Sequence, residues 1–336
     1  MIYVLLSAAA GFLATYILAS PAMHFLRSSG IVGIDQQKED RPELPTSGGV
    51  PVLFGFLTAV SVYIGATTFL PGTPYPDINL VLAALSSVFV IGMIGLLDDI
   101  HVERERVMEK GAEQVRVGLA QRYKFLAPVA AALPLMAVRA GTTTMHFPFV
   151  GPVQFGAVYP LVLVPVAVTS VVNAANMLAG QNGLEASLGT VSLAGLGAFA
   201  LTQGRAEGAV IALGMAASLI AFLRYNFFPA DILPGDSLTY GFGAAYVSTV
   251  IVANIETFGI FVFAPWIVEA FLKLRSGFQA SSLGELQPGG TLKPEHDGIY
   301  SLTHVLMRFD LTEKGLVIAA AAAEAAWVTL AFLLFL

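Results

Sequence analysis

The stretch Leu80-Val-Leu-Ala-Ala-Leu-Ser-Ser-Val-Phe-Val-Ile-Gly-Met-Ile-Gly-Leu-Leu-Asp-Asp99 contains no charged residue until it ends in two adjacent aspartates. An apolar run of about 20 residues is the length that an α-helix needs to cross a bilayer. The stretch therefore predicts a transmembrane helix that ends at a polar membrane face, where Asp98 and Asp99 stand.

Nine further segments have a similar character, and the composition agrees with a membrane protein. The chain of 336 residues is 56% hydrophobic and only 12% charged, whereas a soluble domain carries about 25% charged residues. We predict a single all-α domain over residues 1–336, with about ten transmembrane helices. The predicted spans are Ile2–Phe25, Val50–Leu70, Leu80–Leu97, Phe125–Val138, Phe155–Val172, Ser187–Leu201, Gly208–Phe222, Leu238–Val252, Phe258–Leu272 and Leu316–Leu336.

The basic residues are divided unequally between alternate loops. Fifteen of the 17 Lys and Arg residues fall on one side, and only Arg139 and Arg205 fall on the other. By the positive-inside rule the first side is cytoplasmic, and both termini face outward. The long polar loops share the cytoplasmic side, so we expect an active-site cleft to open there. A net charge of −6 gives no reason to expect nucleic acid as a partner.

Polar side chains stand at four of the predicted cytoplasmic span ends. Asn173 and Asn176 are three residues apart, so a helix would present both amides on one face. Adjacent carboxylates repel each other unless a cation or a lysine lies near them. The residues of this set are Asp98 and Asp99 after the third span, Lys124 before the fourth, Asn173 and Asn176 after the fifth, and Asp236 before the eighth.

This set indicates phosphate chemistry with a hard cation. The chain has no cysteine to supply sulfur ligands, and carboxylate and amide oxygens suit Mg²⁺, with Mn²⁺ as an alternative. A lysine beside such a metal commonly binds a diphosphate. We therefore predict phosphoryl transfer on a nucleotide diphosphate at the inner membrane face. An ion-coupled transporter also needs carboxylates and broken helices, and it stays open as the competing interpretation.

Five motifs in order resemble the polyprenyl-phosphate N-acetylhexosamine-1-phosphate transferase superfamily over nearly the whole chain. The most specific is Asn173-Ala-Ala-Asn-Met-Leu-Ala-Gly-Gln-Asn-Gly-Leu-Glu-Ala186, which is closer to the dolichyl-phosphate branch of archaea and eukaryotes than to the bacterial branch. Bacterial members carry aspartate where Ala179 stands. The other motifs are Arg41–Gly49, Leu97–Asp99, Arg122–Pro128, and Asn226–Pro229 followed by Gly235-Asp236.

The resemblance implies a reaction and a role for each matched residue. The protein would transfer GlcNAc 1-phosphate from UDP-GlcNAc to polyprenyl or dolichyl phosphate, giving polyprenyl-diphospho-GlcNAc and UMP, as the first step of lipid-linked glycan assembly. The lipid tail would lie in a groove near the ninth span. The implied roles are Mg²⁺ binding by Asn176 and Asp236, positioning or deprotonation of the lipid phosphate by Asp98 and Asp99, binding of the transferred phosphates by Lys124, binding of uracil by Asn182, and further substrate contacts by Lys38, Asn173, Glu185 and His296.

Two departures from the family pattern stand out. The last cytoplasmic loop reads Lys293-Pro-Glu-His-Asp297, with His296 between two acids rather than in the family's basic motif. His304 and Arg308, four residues apart, could supply the missing positive charge. An insertion, Glu103–Gln121, is rich in Glu and Arg and is predicted to form a solvated amphipathic helix.

Other interpretations stay open beside this reaction. The same scaffold could use another UDP-sugar such as UDP-MurNAc-pentapeptide, or the protein could be a non-catalytic membrane transporter. A homodimer is also left open.

Local patterns make two further predictions. Glu269 and Glu324 lie inside apolar spans, and we expect them to face the protein interior because charge is costly in lipid. The outward loop Thr142–Phe155, around Gly151-Pro152, predicts a small hairpin.

Overall fold

The computed structural model of the chain describes residues 1–70, 76–100, 103–107, 113–117, 121–147 and 151–336, and these form a helical bundle with four short antiparallel hairpins. The helices are α1 (Ile2–Ser28), α2 (Gly49–Phe69), α3 (Ile78–Ile100), α4 (Gln121–Leu126), α5 (Pro128–Ala137), α6 (Val164–Ala175), α7 (Leu184–Thr202), α8 (Ala206–Asn226), α9 (Gly235–Ala253), α10 (Glu256–Val262), α11 (Ala264–Leu274), α12 (Leu302–Met307) and α13 (Glu313–Phe335), with a π-helical turn, Tyr159–Leu163, leading into α6. The strands are β1 (Val32–Ile34), β2 (Glu43–Pro45), β3 (Glu103–Val107), β4 (Glu113–Val117), β5 (Thr144–Phe147), β6 (Gly151–Gln154), β7 (Gly284–Leu286) and β8 (Leu292–Pro294).

All ten predicted spans are helical, but fewer of them have the length and hydropathy of a full membrane crossing. Within the described residues six helices do so alone, namely α1, α2, α3, α7, α8 and α13. A seventh candidate is the pair α10 and α11, bent by 56°. Pro265 stands in the first turn of α11, and its missing N–H interrupts the hydrogen-bond ladder there.

The other three predicted spans differ from a full crossing in length or in apolar character. The helices of the fourth and fifth spans are shorter, at 10–17 residues. Helix α9 is polar for a span, but it lies almost wholly inside the bundle, where Ser248 and Thr249 are shielded from lipid. A helix buried in this way needs no apolar outer surface.

Close packing at glycine sets the position of α9. A Cβ added at Gly49, the first residue of α2, would lie 2.3 Å from the backbone nitrogen of Leu238. One added at Gly95, near the end of α3, would lie 2.6 Å from the carbonyl oxygen of Asp236. Small residues allow membrane helices to approach this closely. The first turn of α9 is therefore held against both neighbouring helices.

The loop predictions had different outcomes. The hairpin predicted around Gly151 is confirmed, since β5 pairs with β6 and places Phe147 opposite Gly151. The amphipathic helix predicted for Glu103–Gln121 is wrong, because the described part of this insertion forms β3 and β4, with Glu103 opposite Val117. The sequence Glu113-Gln-Val-Arg-Val117 places valine at every second position, which is the period of a strand and not of a helix.

Both acids within apolar spans face the protein interior, as predicted. Glu269 is fully buried and Glu324 is 2% exposed. Glu269 Oε2 accepts a hydrogen bond from the backbone N–H of Leu302 at 2.7 Å, whereas neither oxygen of Glu324 has a hydrogen-bond partner among the described residues.

Candidate active site

Asp99 joins the end of α3 to the start of α9. Helix α9 has no capping side chain of its own, and Asp99 supplies one. Its Oδ1 accepts the backbone N–H of Asp236 at 2.8 Å, and its Oδ2 accepts that of Ser237 at 3.2 Å. The free N–H groups at a helix start favour a carboxylate. The Ser47 hydroxyl donates a third bond at 2.9 Å, so both oxygens of Asp99 are already occupied.

Gly235 makes this arrangement sterically feasible. Its φ is +70°, and a Cβ there would lie 2.4 Å from Asp99 Oδ2. Any other residue would be strained at this φ and would also collide with the carboxylate. In the Gly-Asp pair recognised in the sequence, Gly235 thus allows the close approach of Asp99, and Asp236 follows it.

Lys124, on α4, lies between two carboxylates. Its Nζ is 2.5 Å from Asp98 Oδ2 and 3.4 Å from Asp236 Oδ2. The Asp98 side chain is 7% exposed, against 22% for that of Asp236, so Asp98 lies deeper. The repulsion expected between Asp98 and Asp99 is relieved by separate partners, because the ammonium serves Asp98 and the amides of α9 serve Asp99.

The two asparagines make different contacts. Asn176 Oδ1 accepts a hydrogen bond from the hydroxyl of Thr239 on α9 at 2.8 Å. Asn173 Nδ2 donates to the carbonyl oxygen of Thr169 at 2.8 Å and to that of Phe125 at 3.1 Å. Asn173 therefore ties α6 to α4, while Asn176 ties the end of α6 to the first turns of α9.

A cavity of about 450 Å³ brings together five of the predicted site residues. Lys124, Asn173, Asn176, Glu185 and Asp236 line it, along with segments 179–180, 234–235 and 280–283. The volume is within the range of small-molecule sites. Ammonium, carboxylate and amide groups from distant parts of the chain thus face one space.

The oxygen donors of this cavity fit a magnesium ion that completes its shell elsewhere. Asp236 and Asn176 both line the cavity, and their carboxylate and amide oxygens are of the kind that Mg²⁺ accepts. The described residues contain no group of three or more His, Cys, Asp and Glu side chains that could hold a metal. A site with few protein ligands agrees with the habit of Mg²⁺, which keeps waters and takes oxygens from substrate phosphates.

Lys38 and Asn182 lie outside the cavity wall in a separate buried network. The backbone N–H of Asn182 donates to Glu313 Oε1 at 2.8 Å, and its Nδ2 donates to Asp35 Oδ2 at 2.9 Å. Lys38 pairs with the same two acids, at 3.1 Å from Asp35 Oδ2 and in a short contact with Glu313. Asn182 is 3% exposed, so the predicted uracil contact would require it to exchange protein partners for the base.

Glu185 and a residue that the sequence reasoning missed hold the loop before α7. Glu185 Oε1 accepts the backbone N–H of Gly180 at 2.9 Å. The Gln37 side chain donates to the carbonyl oxygen of Gly180 and accepts the N–H of Gly284, both at 2.9 Å. Gln37 therefore joins three loops, although nothing in the sequence around it signals that role.

A cation reaches the cavity from the end of α11, and neither histidine of the last loop supplies it. His296 is exposed, packs edge-on against Tyr300 at 6.0 Å and does not line the cavity. His304 is fully buried, and burial, with the charges of Lys273 and His296, lowers its pKa. It is therefore neutral near pH 7 and cannot supply the charge suggested for it. Lys273 lines the cavity instead and donates to the carbonyl oxygen of Ala280 at 2.8 Å.

An apolar groove adjoins the polar cavity. It has a volume of about 640 Å³ and runs along α6, α9, α10 and α11, including Val171, Val250 and Phe271. This agrees with a groove near the predicted ninth span, which corresponds to α10 and α11. Phe278 lines both the groove and the polar cavity, so the two spaces meet at this residue.

Comparison of the sequence with known proteins places the chain in a family. Residues 81–254 match the profile of glycosyl transferase family 4. A protein of Saccharolobus solfataricus with the provisional name UDP-N-acetylglucosamine–dolichyl-phosphate N-acetylglucosaminephosphotransferase is 32% identical over 91% of this chain and 88% of its own length. A Sulfolobus acidocaldarius protein with the same provisional name is 31% identical over the same shares. The phospho-N-acetylmuramoyl-pentapeptide-transferase of Chlorobium chlorochromatii is 27% identical over 71% of this chain and 68% of its own. The chain belongs to glycosyl transferase family 4.

Proposed function

We propose that the protein transfers GlcNAc 1-phosphate from UDP-GlcNAc to a polyprenyl phosphate of the dolichyl type, releasing UMP. An oxygen of the lipid phosphate attacks the β-phosphorus of the nucleotide sugar. The bond from that phosphorus to the oxygen bridging the two phosphates breaks, and UMP leaves with that oxygen. The product is polyprenyl-diphospho-GlcNAc, the first intermediate of lipid-linked glycan assembly.

The meeting of the two spaces at Phe278 is the observation that supports this reaction best. A nucleotide sugar needs a polar site with cations for its diphosphate, and the cavity offers Lys124 and Lys273. A prenyl chain needs an apolar path, and the adjoining groove offers one. Few other reactions require a charged diphosphate and a long hydrocarbon chain to reach the same point.

The residues in and beside the cavity have different roles in this reaction, which follow from their contacts. Lys124 binds the transferred phosphates and offsets the charge that builds up during transfer. Asp98, which does not itself line the cavity, orients the attacking phosphate through its ion pair with Lys124. Asp236 and Asn176 are the residues that would hold Mg²⁺, which would supply further charge neutralisation when bound.

We also propose ten membrane crossings, with the cavity open to the cytoplasm and both termini outside. The division of basic residues between alternate loops supports this orientation. Helix α9 would cross within the bundle, where neighbouring helices cover its polar groups. The short helices α5 and α6 would cross at the surface of the bundle, where Leu133 and Val166 are exposed.

The test is transfer of radiolabel from UDP-GlcNAc to an organic-extractable product by purified protein supplied with dolichyl phosphate. We expect activity in the wild type, its loss in Lys124→Met, and its retention in Lys314→Met, a matched loss of an exposed lysine. A panel of UDP-sugars, including UDP-MurNAc-pentapeptide, ranks the donors. Transfer from another sugar in preference to GlcNAc would contradict the assigned donor, and no transfer from any donor would contradict the reaction.

A further inference from the structure

A third cavity lies between α7, α11, α12 and α13. Its volume is about 350 Å³, toward the lower end of the range for small-molecule sites. None of its lining residues also lines the active-site cavity or the groove. Its lining is almost entirely apolar and includes Leu188, Val268, Leu306 and Trp327, together with one acid, Glu324.

Glu324 is the feature of this cavity that packing alone does not explain. The side chain is 2% exposed, and neither carboxyl oxygen has a hydrogen-bond partner within the described part of the chain. A buried carboxyl without a partner is destabilising whether it is charged or neutral. Glu269, the other acid within a span, does have such partners. A donor that reached the Glu324 carboxyl from the cavity would remove this cost.

The surroundings of the cavity indicate what kind of molecule reaches Glu324. Val268 on α11 and Val305 on α12 line the cavity and are 46% and 37% exposed, so the cavity reaches the molecular surface. Both α11 and α13 belong to segments apolar enough to lie in a membrane. A molecule entering between them comes from the hydrocarbon phase, and it therefore carries an alkyl or prenyl chain.

We propose that this cavity binds a single-chain amphiphile whose head group donates a hydrogen bond. The head, a hydroxyl or an ammonium group, contacts the Glu324 carboxyl. The chain lies against Leu188, Val268 and Leu306. This site is separate from the transferase reaction, and its test does not depend on that reaction.

Trp327 provides a reporter inside the cavity. The chain has only two tryptophans, and the other, Trp266, does not line this space. The probe is a medium-chain primary alcohol brominated at its chain end, because bromine quenches nearby tryptophan. The protein is held in nanodiscs of phosphatidylcholine, whose head group has no hydrogen-bond donor to compete. We expect saturable quenching in the wild type and in Trp266→Phe, and its loss in Trp327→Phe. Should Trp266→Phe fail to fold, the comparison of wild type with Trp327→Phe suffices.

The role of Glu324 is tested by changing each partner. The methyl ether of the same alcohol lacks the donor, and we expect it to bind the wild type about tenfold more weakly. Glu324→Leu should weaken binding of the alcohol by about the same factor. Glu324→Gln should still bind the alcohol, because the amide oxygen can accept the hydrogen bond of the hydroxyl. The same variant should bind a brominated alkylammonium about tenfold more weakly than the wild type does, because it lacks the negative charge that attracts a cationic head.

Three results would overturn the proposal. Equal affinities of the alcohol and its ether for the wild type would mean that Glu324 recognises no donor. Quenching that is equal in Trp327→Phe and the wild type would place the probe elsewhere. If quenching does not saturate, no amphiphile binds, and the cavity then holds water or is covered by a second copy of the chain.

Discussion

Asp98 and Asp99 are neighbours in the sequence with opposite surroundings. Asp99 is bonded to the first turn of α9 and to Ser47, so both of its oxygens already accept hydrogen bonds from the protein. Asp98 has the Lys124 ammonium as its ion-pair partner, and Lys124 lines the cavity. We therefore propose that Asp98, rather than Asp99, acts on the attacking phosphate, and that Asp99 holds the start of α9 in place.

We expect Asp98→Asn and Asp99→Asn to fail in different ways. If Asp98 removes a proton, Asp98→Asn should lose about 10²–10⁴ in turnover. Part of the lost turnover should be recovered as the pH rises from about 6 to about 9, because the phosphate acceptor then ionises without help. Asp99→Asn puts a donor against the helix amides, so it should lower the melting temperature and stay impaired at every pH. Turnover against pH and thermal melting of both variants make the comparison, and equal losses at every pH would rule out the base.

Lys273 is a second residue-scale prediction, because it is a cavity-lining cation that no motif identified. We expect Lys273→Met to raise the KM for the nucleotide sugar by about tenfold, the size of one charge-assisted hydrogen bond. The change in kcat should be smaller, and Lys273→Arg should restore part of the affinity. Steady-state kinetics of both variants test this, with Lys314→Met as control. A fall in kcat and melting temperature at constant KM would show that Lys273 only supports the last loop.

The sequence predicts the residues that line the cavity better than those that hold its loops in place. Lys124, Asn176 and Asp236 stand at span ends within recognisable motifs, and they line one cavity. Gln37 carries no such signal, since its partners Gly180 and Gly284 are 143 and 247 positions away. Contacts at that separation depend on how the loops fold together, which local patterns do not encode.

At the scale of elements, the start of α9 is the part on which the site depends most. It carries Asp236, receives the Asp99 cap and packs against glycines of two other helices. Propensity and hydropathy predict that α9 is a helix, but not that a side chain from α3 caps it. The prediction for β3 and β4 is wrong for another reason: the charges of the insertion indicate an exposed helix, although the valines of β4 have the period of a strand.

Gly95→Ala should disable the site through this packing alone. The added methyl group would lie 2.6 Å from the carbonyl oxygen of Asp236, and overpacking of this kind costs about 1–3 kcal/mol. We expect lower stability and a marked fall in transfer as α9 shifts. Gly65→Ala is the matched control, because a Cβ there would meet no atom within 4 Å. Transfer assays and thermal melting of the pair decide, and normal activity in Gly95→Ala would show that α9 tolerates displacement.

At the scale of the whole molecule, the sequence predicts the apolar helices correctly, but fewer than ten of them have the dimensions of a full crossing among the described residues. Each apolar segment of the sequence is a helix, yet only six or seven meet the dimensions of a crossing within the described residues. The helices of the fourth and fifth predicted spans are apolar but short, and α9 is polar because it packs inside the bundle. Hydropathy measures contact with lipid, and it loses its meaning for a helix that touches mainly protein.

Cysteine labelling tests the orientation of the whole chain. The protein has no native cysteine, and the exposed positions Glu39, Thr143 and Pro288 are accessible to reagent. We expect Glu39→Cys and Pro288→Cys to react with a membrane-impermeant maleimide only from the cytoplasmic side. Thr143→Cys should react only from outside. Labelling of Glu39→Cys and Thr143→Cys from the same side would contradict the ten-crossing arrangement.

Because Phe278 lines both the polar cavity and the apolar groove, the two proposed substrates would reach the site from different phases, the nucleotide sugar from the water and the lipid phosphate from the two-dimensional membrane. The nucleotide sugar is counted in moles per litre of water, whereas the lipid phosphate is counted as a fraction of the membrane surface. Adding inert lipid at a fixed total amount of acceptor should therefore slow the reaction, although no bulk concentration has changed. Changing the water volume at constant nucleotide concentration and constant membrane composition should leave the rate per enzyme unaltered. The enzyme would thus respond to how crowded its own membrane is with acceptor, and not to how much acceptor the cell contains.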